Sequence, residues 1–122
     1  MKHVLIVAVA GALGALSRYG LLQLVGSRFF PWGTFAINVV GSCLMGLAYV
    51  IIVEKTFVSP DMKPLFMVGF LGAFTTFSAF SFEAWLLMER GELLHAVSYI
   101  ALTVLLCIAA LAFGVFVARL TF

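Results

Sequence analysis

Apolar residues run almost without pause along this chain, and a few polar breaks cut it into four segments. Val4 to Val25 predicts a first helix. Gly26-Ser27-Arg28-Phe29-Phe30-Pro31-Trp32-Gly33 reads as a turn whose aromatic cluster suits a membrane–water boundary. Thr34 to Val53 predicts a second helix. The stretch from Glu54-Lys55 through Ser59-Pro60-Asp61-Met62-Lys63-Pro64 carries two prolines and mixed charges, the marks of a solvated loop. Leu65 to Glu89 predicts a third helix, Arg90-Gly91-Glu92 a short turn, and Leu93 to Leu120 a fourth helix. Each segment reaches the ~20 residues that an α-helix needs to cross hydrocarbon.

Composition sharpens this into an all-α integral membrane protein. Of the 122 residues, 65% are hydrophobic and 10% charged, with a mean hydropathy of +1.23; a soluble domain carries about 25% charged residues. Residues 1–122 read as one transmembrane domain with no room for a soluble one. The net charge of +2 is too small and too dispersed to suggest nucleic acid. The first segment is too long for a signal-peptide core and lacks a clean cleavage site, so it reads as a retained span. Cys43 and Cys107 both fall inside spans, where they read as small packing residues rather than a disulfide. With four spans, Lys2, Lys55, Lys63 and Arg119 share one side, and Arg28 and Arg90 the other. So weak a bias is compatible with insertion both ways, and hence with an antiparallel dimer, without requiring one. No internal repeat supplies a second half.

The informative run is Gly69-Phe70-Leu71-Gly72-Ala73-Phe74-Thr75-Thr76-Phe77-Ser78-Ala79-Phe80-Ser81. Its glycines, threonines and serines invite the third helix to break near Gly72 to Thr76. Lipid does not tolerate broken backbone, so the break must face protein or a polar cavity. Phe77 and Phe80 share a face. Among thirteen phenylalanines they read either as core packing or as rings whose positive edges surround an anion. Ser78, Ser81 and Glu83 lie in the same half-helix. Glu83 reads as a cap on the inner mouth, a partner for a donor, or an interfacial acid.

The other helices carry matching polar positions. Thr34, Asn38 and Ser42 form one stripe on helix 2, either interhelical glue or donors, since the Asn38 amide offers two N–H groups. On helix 1, Ala10 and Gly14 fit the small-residue pattern of close helix contact. Arg18 there either snorkels to the interface or lends positive potential to an approaching anion. Tyr99, Thr103 and Cys107 step along helix 4 as a packing stripe or a ladder of weak donors. Donors are many and intramembrane acids few. A proton or cation path usually embeds Asp or Glu, so this inventory suits a small anion. Nothing resembles catalytic machinery, and the chain reads as no enzyme.

Three motifs, Gly11-x-x-Gly14-Ala15-x-x-Arg18-Tyr19, Gly33-Thr34-x-x-x-Asn38-x-x-Gly41 and Gly69-x-x-Gly72-x-x-Thr75-Thr76-Phe77-Ser78-x-Phe80, resemble the CrcB/Fluc family of fluoride channels. The resemblance spans essentially the whole chain. It implies a four-helix subunit with its third helix broken at the centre. Two subunits would pair as an antiparallel, dual-topology homodimer with two fluoride pores. It implies a structural sodium ion held on the two-fold axis by the backbone carbonyls of Gly72 and Thr75. Asn38, Phe77 and Phe80 match the family's pore residues, Arg18 its vestibule arginine, and Tyr99, Thr103 and Cys107 its polar track. The thiol at Cys107 and the apolar Leu111 depart from a track that often bears hydroxyls, and Cys43 stands where the helix 2 motif has a hydrophobic residue. The implied activity is passive fluoride export across the plasma (inner) membrane of a prokaryote. Two other readings compete. A small four-helix drug/proton exporter would need a buried carboxylate in helix 1, where this chain has Arg18. A structural subunit of a larger complex would leave the clustered donors unexplained.

Overall fold

A computed structural model describes residues 1–26 and 29–122, and among these every regular element is helical. The elements are α1 (Lys2–Val25), α2 (Trp32–Ala48), a π-helical stretch (Tyr49–Glu54), a second π-helical stretch (Lys63–Leu71), α3 (Gly72–Phe74), α4 (Phe77–Glu89) and α5 (Leu93–Thr121). They make four spans long and apolar enough to cross a membrane: Lys2–Val25, Trp32–Glu54, Lys63–Glu89 and Leu93–Thr121. The expected helix limits are met to within two residues at every end. Ser27 and Arg28 of the aromatic turn lie outside the described residues.

In hydrocarbon there is no hydrophobic force between helices, so close contact of small residues holds them together. Ala10 and Gly14 are the buried residues of α1. A side chain at Gly14 would run into the Phe70 carbonyl, so glycine is what lets the first span lie directly on the third. The second span packs chiefly along the fourth. At one end the pair is fastened by Arg119, whose Nε and Nη2 donate to the Glu54 carboxylate at 3.1 and 2.8 Å. The apolar outer faces of α1 and α5 stay exposed, as lipid-facing surfaces must be.

Two clusters form the interior. Ala48, Ile52 and Leu71 pack together near one end. Phe80, Ala84, Leu87, Ala96 and Tyr99 pack near the other, with Phe30 and Phe35 against them. Between the clusters lies the middle of the third span, and the polar side chains gather there.

Candidate functional site

Two residues of the third span depart from helical dihedrals. Thr75 takes φ −82, ψ 159 and Thr76 takes φ −153, ψ 122, both extended. The local cause is legible. The Thr75 N–H and hydroxyl both donate to the Leu71 carbonyl, at 3.0 and 2.8 Å, a doubling that favours the end of a helix over its continuation. Thr76 then starts α4: its Oγ1 accepts from the Ala79 N–H at 3.2 Å as an N-cap. Gly41 on α2 leaves the space that the Thr75 methyl fills.

Asn38 of α2 meets this extended segment with both ends of its amide. Nδ2 donates to the Thr76 carbonyl at 3.0 Å, and Oδ1 accepts from the Thr76 N–H at 2.9 Å. From the other side, Arg18 Nη1 donates to the Thr75 carbonyl at 3.4 Å. Arg18 is half-buried and turned into the bundle rather than toward the interface.

Beside the extended segment opens a cavity of ≈ 290 Å³. Asn38 and Ser42 line it from α2; Thr75, Thr76, Phe77 and Phe80 from the third span; Thr103, Val104, Cys107 and Ile108 from α5. No lining side chain is charged. The Phe77 and Phe80 rings lie 5.3 Å apart at 52°. Phe80 is 6% exposed, whereas Phe77 is 76% exposed, so one side of the cavity is open. Thr103 is equally well buried, and its Oγ1 has no hydrogen-bond partner among the described residues.

A second polar cluster lies behind Phe80. Thr34 Oγ1 donates to Glu83 Oε1 at 2.8 Å, and the Tyr99 hydroxyl donates to Glu83 Oε2 at 2.9 Å. Tyr99 is wholly buried, with the Phe80 and Phe30 rings meeting it edge-on at centroid distances of 5.1 and 5.3 Å. Glu83 also faces a smaller cavity of ≈ 150 Å³ bounded by Phe29, Phe30, Pro31 and Arg90.

The site residues expected from sequence thus divide into groups. Asn38, Phe77, Phe80, Thr103 and Cys107 share the larger cavity with Thr75. Thr34, Tyr99 and Glu83 form the separate hydrogen-bonded cluster. Ser78 and Ser81 are exposed and line neither cavity: Ser78 Oγ lies 3.4 Å from Thr76 Oγ1, and Ser81 Oγ donates to the Phe77 carbonyl. Gly72 is exposed on the third span. Sequence reasoning named Thr76 only among the hydroxyl donors, and it did not single out Val104 or Ile108. Val104 and Ile108 each follow a predicted lining position by one residue, a signal that an i, i+4 ladder on one face could have carried. Thr76 carried no signal of its own beyond the Thr-Thr pair.

The sequence matches the family model described as "CrcB-like protein, Camphor Resistance (CrcB)" over residues 5–115. It is 49% identical to a protein of Hahella chejuensis, over 98% of this chain and 97% of that one. It is 44% identical to a protein of Aeromonas salmonicida over 93% and 94% of the two chains, and 43% identical to one of Geotalea uraniireducens over 98% of each. All three carry the name "Fluoride-specific ion channel FluC". Matches of this extent, end to end and across the residues that line the larger cavity, place the chain in the CrcB family.

Proposed function

We propose that this protein is a fluoride channel that lets the anion leave the cytoplasm passively. The observation that carries the reading is the larger cavity: set at the middle of a membrane span, free of any charged side chain, yet holding a Thr103 hydroxyl with no hydrogen-bond partner among the described residues. A buried polar group without a partner is costly, and an anion passing the cavity would satisfy it. Around it stand the second Asn38 Nδ2 hydrogen, the Cys107 thiol and the edges of Phe77 and Phe80. A small, strongly hydrated halide gives up water only where close, preorganised donors replace it. Aromatic edges do this without offering a proton. The potential across a cytoplasm-negative membrane supplies the outward drive. Arg18 would lend positive potential to the vestibule, and Glu83, held by Thr34 and Tyr99, would close off the inner mouth. Relatives of this length named as fluoride channels support the assignment; their bacterial sources support a prokaryotic inner membrane.

The assembly we propose is an antiparallel, dual-topology homodimer of subunits with a centrally broken third helix. Its support is the open side of the cavity: Phe77 is left exposed, and a second copy would provide the missing wall. A structural sodium ion fits the donors at hand. The Thr76 N–H, which in a continuous helix would bond the Gly72 carbonyl, donates to Asn38 instead. Thr75 has left helical geometry, and its carbonyl meets only a long contact from Arg18. Carbonyl oxygens suit a hard cation. No cluster of His, Cys, Asp and Glu among the described residues could hold a metal instead. Bound there, the ion would neutralise carbonyls that lipid cannot. The reading is tested by reconstituting the protein alone in liposomes and following fluoride and chloride efflux in parallel. Fluoride release without chloride release is expected. Silence toward fluoride, or exchange of protons for lipophilic cations, would overturn it.

A further inference from the structure

Asn38 spends most of its hydrogen-bonding capacity on the backbone. Its amide oxygen and one of its two Nδ2 hydrogens are committed to Thr76, at 2.9 and 3.0 Å. That two-way pairing is what an adjacent β-strand would give an extended residue. Thr76 needs it: its N–H, which precedes the first turn of α4, has no helical partner, and no water is at hand inside a bilayer. Few side chains could serve. A carboxylate cannot donate, and a hydroxyl cannot span both groups. Held this way, Thr76 places its own hydroxyl to cap α4 through Ala79. The cap fixes where α4 begins, and so the direction in which Phe77 and Phe80 project.

We propose that Asn38 is a positioning residue, a splint that holds the extended segment through Thr76 and thereby sets the Phe77 and Phe80 rings. Any anion contact by its remaining N–H follows from that role. The consequence for ion flux rests on the fluoride-channel reading; the consequence for the backbone does not. Asn38 lies one helical turn from Thr34, which fastens α4 further along through Glu83. Without the splint, α4 is still docked but its first turn is free to reclose onto the helix before it.

Two measurements test this. Amide hydrogen exchange in nanodiscs reads the backbone alone. Asn38→Ala is expected to speed exchange at Thr76 and Ala79 about tenfold or more, the worth of a lost buried bond, with α5 unchanged. Asn38→Asp keeps the acceptor arm and should leave the Thr76 N–H protected. The second measurement replaces the Thr76 N–H by an ester oxygen and leaves Asn38 intact. Fluoride efflux should fall about tenfold and the preference for fluoride over chloride should narrow, with assembly unaltered. An ester variant that conducts and selects like the unmodified protein would overturn the proposal. So would an Asn38→Ala protein whose Thr76 amide exchanges no faster; Asn38 would then be an anion donor only. If the unmodified protein carries no fluoride, the channel reading fails while the exchange experiment still decides the splint. If Asn38→Ala does not fold, the ester variant decides it.

Discussion

Two polar clusters sit on either side of the Phe80 ring, and they are built in opposite ways. Behind it, Glu83 accepts from Thr34 and Tyr99, one hydroxyl on each carboxylate oxygen. In front of it, Thr103 is also buried and has no partner among the described residues. A closed cluster fastens helices: it joins α2, α4 and α5 through three side chains. An open one is a vacancy in the hydrogen-bond pattern that something mobile can fill. Buried polar groups are normally paired, so the difference separates what holds this bundle together from what it works on.

The largest expected effect is on the open side. Asn38→Asp places a negative charge on the cavity wall and removes the donor arm to Thr76. At a few ångströms in a poorly polarisable site, like-charge repulsion is worth several kcal/mol. Fluoride efflux should stop, whereas Thr76 stays anchored. Conduction at the usual rate would take Asn38 off the ion path. Next comes a matched pair that tests the contrast directly. Thr103→Val removes an unpaired hydroxyl at nearly constant volume. Flux should fall about tenfold, with stability unchanged or slightly raised, because no bond is lost. Glu83→Ala does the reverse: it orphans the Thr34 and Tyr99 hydroxyls, and unfolding in detergent should become easier by about 1–2 kcal/mol. Efflux per folded protein should change less than in Thr103→Val. If Thr103→Val destabilises the protein and Glu83→Ala does not, the two clusters have been assigned the wrong way round.

The third span shows why the sequence carried some of this and not the rest. Its length and apolar character follow from composition, because lipid imposes one solution on any chain that crosses it. The polar positions were visible too, since a Thr, Asn or Glu in such a segment stands out against Leu and Phe. Their partners were not. Thr34, Asn38 and Ser42 form one regular stripe, yet Thr34 serves the closed cluster while Asn38 faces the open one. Ser78 and Ser81 sit in the richest motif of the chain and point away from both cavities. Which donor is consumed and which is left over depends on distances between helices, across 16 to 49 residues of sequence. Periodicity along one helix does not encode that. Phe77 and Phe80 are a similar case: the spacing puts them on one face, but only packing against Tyr99 makes one of them core and leaves the other bare.

The smallest effect lies at the end of the bundle, where the loop before the third span meets the start of α1. Asp61 Oδ1 is 2.9 Å from His3 Nε2, and Oδ2 is 3.6 Å from Lys2 Nζ. The hydrogen bond from His3, and then the Lys2 charge, hold the Asp61 carboxyl below its usual 3.8. A carboxyl whose folded value is depressed contributes stability above its ordinary value and loses it as the pH falls through the folded one. Asp61→Asn should therefore lower the thermal midpoint slightly at neutral pH. The gap to the unmodified protein should close in acid, once the carboxyl is protonated in both folded and unfolded chains. The pair is exposed and salt will screen it, so the difference should also shrink in high salt. Fluoride efflux should be untouched, because neither the open nor the closed cluster reaches this end. A change in efflux with Asp61→Asn would mean that the loop is coupled to the cavity, and the division between fastening and working parts would have to be redrawn to include it.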